Sequence, residues 1–139
     1  MKEKKISFLL VEDDEVDIMN VKRAFEKNKI TNPLHIARDG LEALEILKRK
    51  PKIENFPNVV LLDLRMPKMD GIEFLKNIRA DSELKKLIII VLTTSDDDRD
   101  VVSAYDFNVA GYIIKPITFD KFMQAMATIN LYWTLSKVP

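Results

Sequence analysis

The chain has 139 residues, 47% of them hydrophobic, which is the length of one ordinary domain with ample material for a core. Its 22 lysines and arginines are balanced by 22 aspartates and glutamates, so no net field draws it to nucleic acid or to an anionic membrane, and DNA binding is not expected. It has no cysteine and a single histidine, which excludes disulfides and thiolate metal sites, makes a zinc centre improbable, and points to the cytoplasm as the expected compartment.

Met1 to Lys5 is basic, but the apolar run that follows, Ile6 to Val11, is short and ends in acid. It therefore reads as a first strand and not as a signal peptide or a membrane span. Glu12 to Glu15 comes next, then an apolar stripe at helical spacing, Ile18, Val21 and Phe25. Asp14, Glu15 and Asp17 are assigned to the N-terminal dipole of that helix, leaving Glu12 and Asp13 for chemistry. Leu34 to Ala37 is the second strand, with His35 expected as a packed core or edge residue. Asp39-Gly40 turns into a helix marked by Leu41, Leu44 and Leu47, and Pro51 to Pro57 brackets a polar connection long enough to be an insertion.

Val59 to Leu62 is the third strand and Asp63 ends it. Asp70 suits the N-cap of a helix carrying Ile72, Leu75 and Ile78. Leu87 to Leu92 is the fourth strand, followed by Thr93-Thr94-Ser95. Asp96-Asp97-Asp98 looks like a metal cluster but stands where capping of a short helix, Asp98 to Phe107, is needed. Tyr112 to Ile114 is the fifth strand, ending in Lys115-Pro116. Thr118 then suits the N-cap of a last helix with Phe119, Phe122, Met126, Ile129 and Trp133 on its stripe.

Short unbroken apolar strands alternating with amphipathic helices specify an α/β fold: one doubly wound, parallel, five-stranded sheet with five helices. Ligands of such sheets bind beyond the carboxyl ends of the strands. Four runs converge there, bringing Glu12 and Asp13, Asp63, Thr93, and Lys115. Hard divalent cations such as Mg2+ take carboxylate oxygens, so Asp13 with Asp63 offers a metal site. A carboxylate fixed by geometry at the end of a buried strand can act as a nucleophile toward phosphorus. The cation, the Lys115 ammonium and the Thr93 hydroxyl would each stabilise one oxygen of the transferring group.

The motifs Leu10-Val11-Glu12-Asp13-Asp14, Leu61-Leu62-Asp63-Leu64-Arg65-Met66-Pro67-Lys68-Met69-Asp70-Gly71, Val91-Leu92-Thr93-Thr94-Ser95 and Gly111-Tyr112-Ile113-Ile114-Lys115-Pro116 stand in this order and at these intervals. Together they resemble the CheY-like receiver domains of two-component response regulators, over nearly the whole chain. The resemblance implies a flavodoxin-like sheet of order 2-1-3-4-5 and a Mg2+-dependent transfer of a phosphoryl group to Asp63. The donor would be a phosphohistidine of a sensor histidine kinase or histidine phosphotransfer protein. It implies that Asp13, Asp63 and the backbone carbonyl of Arg65 hold Mg2+, with Glu12 acting through water, and that Thr93 and Lys115 hold phosphoryl oxygens. Tyr112 would turn inward as Thr93 moves, and the fourth helix, fifth strand and fifth helix would form the readout surface.

Glu12 replaces an aspartate common in the family, and Thr94 is bulkier than the usual residue there, which is expected to narrow access to the site. Residues 1–139 are expected to form a single receiver domain with no output domain, so the output would be a downstream protein partner or self-association. The long connection and the last helix resemble the single-domain regulators that partner bacterial phytochromes, and Tyr132 and Trp133 are candidates for a homodimer interface. Two other classes share the sheet. A haloacid dehalogenase-type phosphotransferase would need an aspartate where Arg65 stands, and a flavodoxin-like cofactor binder would need a phosphate-accepting loop where Glu12 to Glu15 stand.

Overall fold

The computed structural model describes residues 6–27, 29–49 and 56–115, together with 120, 121 and 124. The Pro51 to Pro57 connection for the most part, Pro116, the Thr118 cap, and Tyr132 and Trp133 lie outside the described residues. Of the last helical pattern only Asp120, Lys121 and Gln124 are described, all three helical.

The elements follow the expected alternation. They run β1 (Phe8–Val11), α1 (Glu15–Lys27), β2 (Leu34–Ala37), α2 (Gly40–Leu47), β3 (Val59–Leu62), α3 (Gly71–Ala80), β4 (Ile88–Thr93), α4 (Asp98–Asp106) and β5 (Gly111–Ile114). The five strands are parallel and ordered β2-β1-β3-β4-β5. The first three start in register, Phe8 beside Leu34 on one side and Val59 on the other. β1 and β3, inside the sheet, bury every residue, while β2, at its edge, is half-buried and carries the half-buried His35. No described helix is long and apolar enough to cross a membrane.

Side chains alternate between the faces of a strand, and the two faces carry separate cores. Leu9, Val11, Val60, Leu62, Ile89 and Val91 pack with Leu44 and Leu47 of α2, Phe74, Leu75 and Ile78 of α3, and Ala104 of α4. Phe8, Leu10, Val59, Leu61, Ile90 and Leu92 pack on the other face with Ile18, Ala24 and Phe25 of α1. There Phe8 and Phe25 meet edge to face, 5.2 Å between centroids.

Aspartates start the helices. Asp39 accepts from the Glu42 N–H, Asp70 from the Glu73 N–H and Asp97 from the Arg99 N–H, each satisfying an orphan donor of the first turn. The expected capping role of the Asp96 to Asp98 run thus falls to Asp97. Asp14 does the same for α1, accepting from Val16 and Asp17.

The loop from β3 to α3 is held against the sheet at Gly71, whose N–H donates to the Leu64 carbonyl at 2.9 Å. A Cβ there would lie 2.6 Å from Leu64 Cα and 2.7 Å from the Asp63 carbonyl oxygen, both backbone atoms that cannot swing aside. Gly71→Ala is therefore expected to lower the unfolding free energy by about 2 kcal/mol, the scale of overpacking a closed site. A urea titration checks it, and unchanged stability would show that this loop yields freely.

Candidate functional site

The parallel ladder continues one residue beyond each of three strands, and these residues are the polar ones. The Glu12 N–H donates to the Ala37 carbonyl at 2.9 Å, the Asp63 N–H to Val11 at 3.0 Å, and the Lys115 N–H to Thr93 at 2.8 Å. Backbone pairing thus sets where each side chain begins. Continuing the alternation places Glu12, Asp63 and Lys115 on the face that carries α1, and Thr93 and Tyr112 on the face that carries α3 and α4.

On the α1 face the Lys115 ammonium is enclosed by carboxylates. It donates to Glu12 Oε1 in a short bond and to Asp17 Oδ2 at 2.8 Å, and it stands 3.6 Å from Asp63 Oδ2. Glu12 is 2% exposed and Asp63 8%, so both carboxylates are buried. Glu12 also accepts from the Asp14 N–H at 3.3 Å, and Asp63 Oδ1 accepts from the Arg65 N–H at 3.2 Å. Among the described residues no buried side-chain polar atom lacks a partner.

Burial raises the pKa of Glu12 from 4.5 to about 7; the bond from Lys115 works against the rise and neighbouring Asp63 adds to it. For Lys115 burial acts to lower the pKa, but the bonds to Asp17 and Glu12 and the field of Asp63 outweigh it, and the ammonium is held above its ordinary value. Glu12, exposed Asp13 and Asp63 each bring a carboxylate oxygen within 4.8 Å of the others. All three are hard oxygen donors, and one is a buried carboxylate that is costly to ionise without an added positive charge, so the set fits a divalent cation of the Mg2+ class.

On the other face Thr93 is wholly buried, and its Oγ1 accepts from the Ser95 N–H at 3.3 Å. The Tyr112 hydroxyl donates to the Ser95 carbonyl at 2.8 Å. Ser95 Oγ donates to Asp100 Oδ2 at 2.5 Å, and Arg65 Nη2 donates to the same oxygen at 2.6 Å. Thr94 is exposed.

Glu12, Asp13, Asp63, Arg65, Thr93 and Lys115 thus stand at the carboxyl end of the sheet, with Tyr112 inside β5, and two further residues reach the same edge that the sequence reading missed. Asp17, assigned to the dipole of the first helix, faces Lys115 across 98 positions of sequence. Its place three residues after the Asp14 cap was the available signal, since it falls on the helix turn above the strand ends. Asp100, unremarked in the sequence, joins the loops after β3 and β4, and nothing in its local pattern distinguishes it from a helix-start acid.

The Glu12 shift has a stability consequence. Its native pKa lies above the value of an exposed glutamate, so the group's stabilising contribution is complete below about 4.5 and is lost as pH rises through about 7. In chelator-treated protein, Glu12→Gln should gain on the wild type by about 2 kcal/mol between roughly pH 5 and pH 8. Urea unfolding at both ends of that range measures it, and a gap that does not change with pH would contradict the assignment of a buried, reluctant carboxylate.

Comparison with known proteins gives a consistent picture. The response regulator receiver domain matches residues 8–127. The chain is 40% identical over 126 residues to the probable methanogenesis regulatory protein FilR2 of Methanothrix harundinacea, covering 90% of this chain and 81% of that protein. It is 36% identical over 127 residues to response regulator Rcp1 of Synechocystis sp., covering 90% and 86%. The crystal structure of Mn(2+)-bound Rcp1 superposes with a TM-score of 0.78 at 34% identity, over 98% of this chain and 99% of that one. Phosphorylated RcpA, a cyanobacterial phytochrome response regulator, superposes with a TM-score of 0.81 at 31% identity, over 97% and 98%. The match begins at the first residue of β1 and ends beyond β5, so the entire sheet is included, and the chain belongs to the response regulator receiver domains of two-component signalling.

Proposed function

We propose that Asp63 is the phosphoacceptor of a two-component phosphorelay and that its phosphorylation changes the surface formed by α4, β5 and the last helical segment. The observation that carries the reading is the placement of Asp63: a carboxylate fixed by its backbone at the end of β3, 8% exposed, in a cluster with Glu12 and Asp13 and 3.6 Å from the Lys115 ammonium. An ionised oxygen of Asp63 attacks phosphorus on a phosphohistidine of a sensor kinase or phosphotransfer protein. The new O–P bond forms as the P–N bond breaks, and the bonding electron pair leaves with the imidazole nitrogen. Lys115 donates to a phosphoryl oxygen, and the Thr93 hydroxyl, released from the Ser95 N–H, donates to another. Asp13, Asp63 and the carbonyl of Arg65 would hold Mg2+, with Glu12 through water. When bound, the cation supplies positive charge at the phosphoryl oxygens.

The route outward runs through Tyr112, whose hydroxyl is bonded to the loop that carries Thr93, so movement of Thr93 toward the phosphoryl group alters the seat of the ring. Exposed Val102 and Tyr105 on α4 and Ile114 on β5 supply apolar area for a partner protein. The likeness to RcpA, a phytochrome response regulator, favours a kinase of the phytochrome class as donor. Arg65, in the place where a dehalogenase-type enzyme needs a carboxylic acid, argues against turnover of free substrates, and its side chain is engaged with Asp100.

Incubation with acetyl phosphate and Mg2+ should add one base-labile phosphoryl group to the wild type and none to Asp63→Asn, as read by intact-protein mass. Labelling that survives the substitution would exclude Asp63 as the acceptor. Lys115→Ala should slow the reaction by about a hundredfold, the scale of removing one donor to a transition-state oxyanion.

A further inference from the structure

We propose that Asp17 is a positioning residue for Lys115: it holds the ammonium beside Asp63 and off it, leaving Asp63 free as a nucleophile and one lysine N–H free for the incoming phosphoryl oxygen. The inference rests on the reading of Asp63 as phosphoacceptor and goes beyond it, because Asp17 itself touches neither the acceptor nor the cation cluster.

The geometry carries the argument. Asp17 is the third residue of α1, and its N–H donates to Asp14 Oδ1 at 3.1 Å, so the backbone that bears it is fixed by the cap of the helix. Its side chain is short, 33% exposed, and turned toward the strand ends, where Oδ2 accepts from Lys115 Nζ at 2.8 Å. An acid that served only the helix dipole would have no need to face a lysine from the end of β5, and Glu15, in the same turn, instead pairs with Arg38 at the surface.

A lysine ammonium has three N–H donors. One goes to Glu12 and one to Asp17, while Asp63 Oδ2, at 3.6 Å, is beyond hydrogen-bond distance. The lysine side chain is 12% exposed, so water is a poor substitute for a lost carboxylate. Without Asp17 the nearest acceptor left for that N–H is Asp63. The ammonium would then close on the carboxylate that has to attack phosphorus, drawing down its nucleophilicity and turning the third N–H away from the direction of the phosphoryl oxygen. Both effects slow phosphorylation.

The test is a double-mutant cycle on the full chain with acetyl phosphate and Mg2+, reading the initial rate of phosphorylation in the wild type, Asp17→Ala, Lys115→Ala and the double variant. Asp17→Ala is expected to slow the reaction about tenfold when Lys115 is present, the scale of one charge-assisted hydrogen bond, and to add nothing when Lys115 is alanine. Its effect on unfolding as a helix-start acid should persist in both backgrounds, so stability alone does not mimic the result. Asp17→Asn, which keeps the volume and an acceptor oxygen but loses the charge, enters the same cycle if Asp17→Ala does not fold. A wild-type rate in the Asp17 variant, or equal slowing with and without Lys115, overturns the proposal. Absence of phosphorylation in the wild type instead overturns the acceptor reading on which it stands.

Discussion

The structure turns on one ammonium among carboxylates. Parallel strands deliver their carboxyl ends to one edge of the sheet, and in this chain that edge gathers Glu12, Asp13 and Asp63, with Asp17 from the adjoining helix turn. Two of these carboxylates are almost fully buried, a costly arrangement without compensating positive charge. Lys115 supplies it from the end of the last strand, reached only when β5 has paired with β4 and β4 with β3. The charge balance of the site is therefore a consequence of completing the sheet. Conversely, burial raises the Glu12 pKa even with Lys115 bonded to it, so one lysine only partly offsets the cost of its charge. A divalent cation held by Glu12, Asp13 and Asp63 would offset the remainder.

Two-residue periodicity separates the site residues into two sets. Glu12, Asp63 and Lys115 belong to one face of the sheet, while Thr93 and Tyr112 belong to the other, each reached through the backbone of the same or a neighbouring strand. On the proposed reading a phosphoryl group on Asp63 is approached from one face by Lys115 and from the other by Thr93. A hydroxyl that moves toward it leaves the Ser95 N–H, and the loop it leaves is the one to which Tyr112 is bonded. Since β3 and β4 are each paired on both sides and largely buried, on this reading the displacement would fall on the loop after β4 and the start of α4. Those segments hold fewer buried residues than the strands: only Ala104 of α4 is fully buried.

Much of this was legible in the residues because the relevant signals are local. Unbroken apolar runs marked β1 and β3, whose residues are all buried, and aspartates before apolar stripes marked the starts of α2, α3 and α4. Strand ends bearing Glu12, Asp63, Thr93 and Lys115 could be gathered by the rule for parallel sheets without knowing a distance. Asp17 escaped because a helix-start acid has a sufficient local explanation, and its second partner lies 98 residues away. Strand edges were less sharp: Ile6 and Ser7 precede β1 although both are buried, since the first ladder partners begin at Phe8. The unbroken apolar runs also did not say which site residues share a face, because that follows from which alternate residues of each strand pack against α1 and which against α2 and α3.

Asp100 shows how the two faces are tied together after the strands have ended. Its Oδ2 accepts both from Arg65, two residues past Asp63, and from Ser95, two residues past Thr93. One oxygen in the first turn of α4 thus joins the loop bearing the proposed acceptor to the loop bearing the proposed switch hydroxyl. Arg65 has a second role in the same geometry, for its N–H bonds to Asp63 Oδ1 while its guanidinium reaches Asp100. The Asp63 carboxylate is thereby linked to α4 through Arg65 by hydrogen bonds at both ends of that residue, and the Thr93-to-Ser95 segment meets the same Asp100 oxygen through the Ser95 hydroxyl. Asp100 is half-buried and its two partners share one oxygen at the helix start, so on the proposed reading a shift in either loop would bear on that start. On the proposed reading, coupling from site to surface would need no relay through the core, because α4 is in direct polar contact with the loops after β3 and β4.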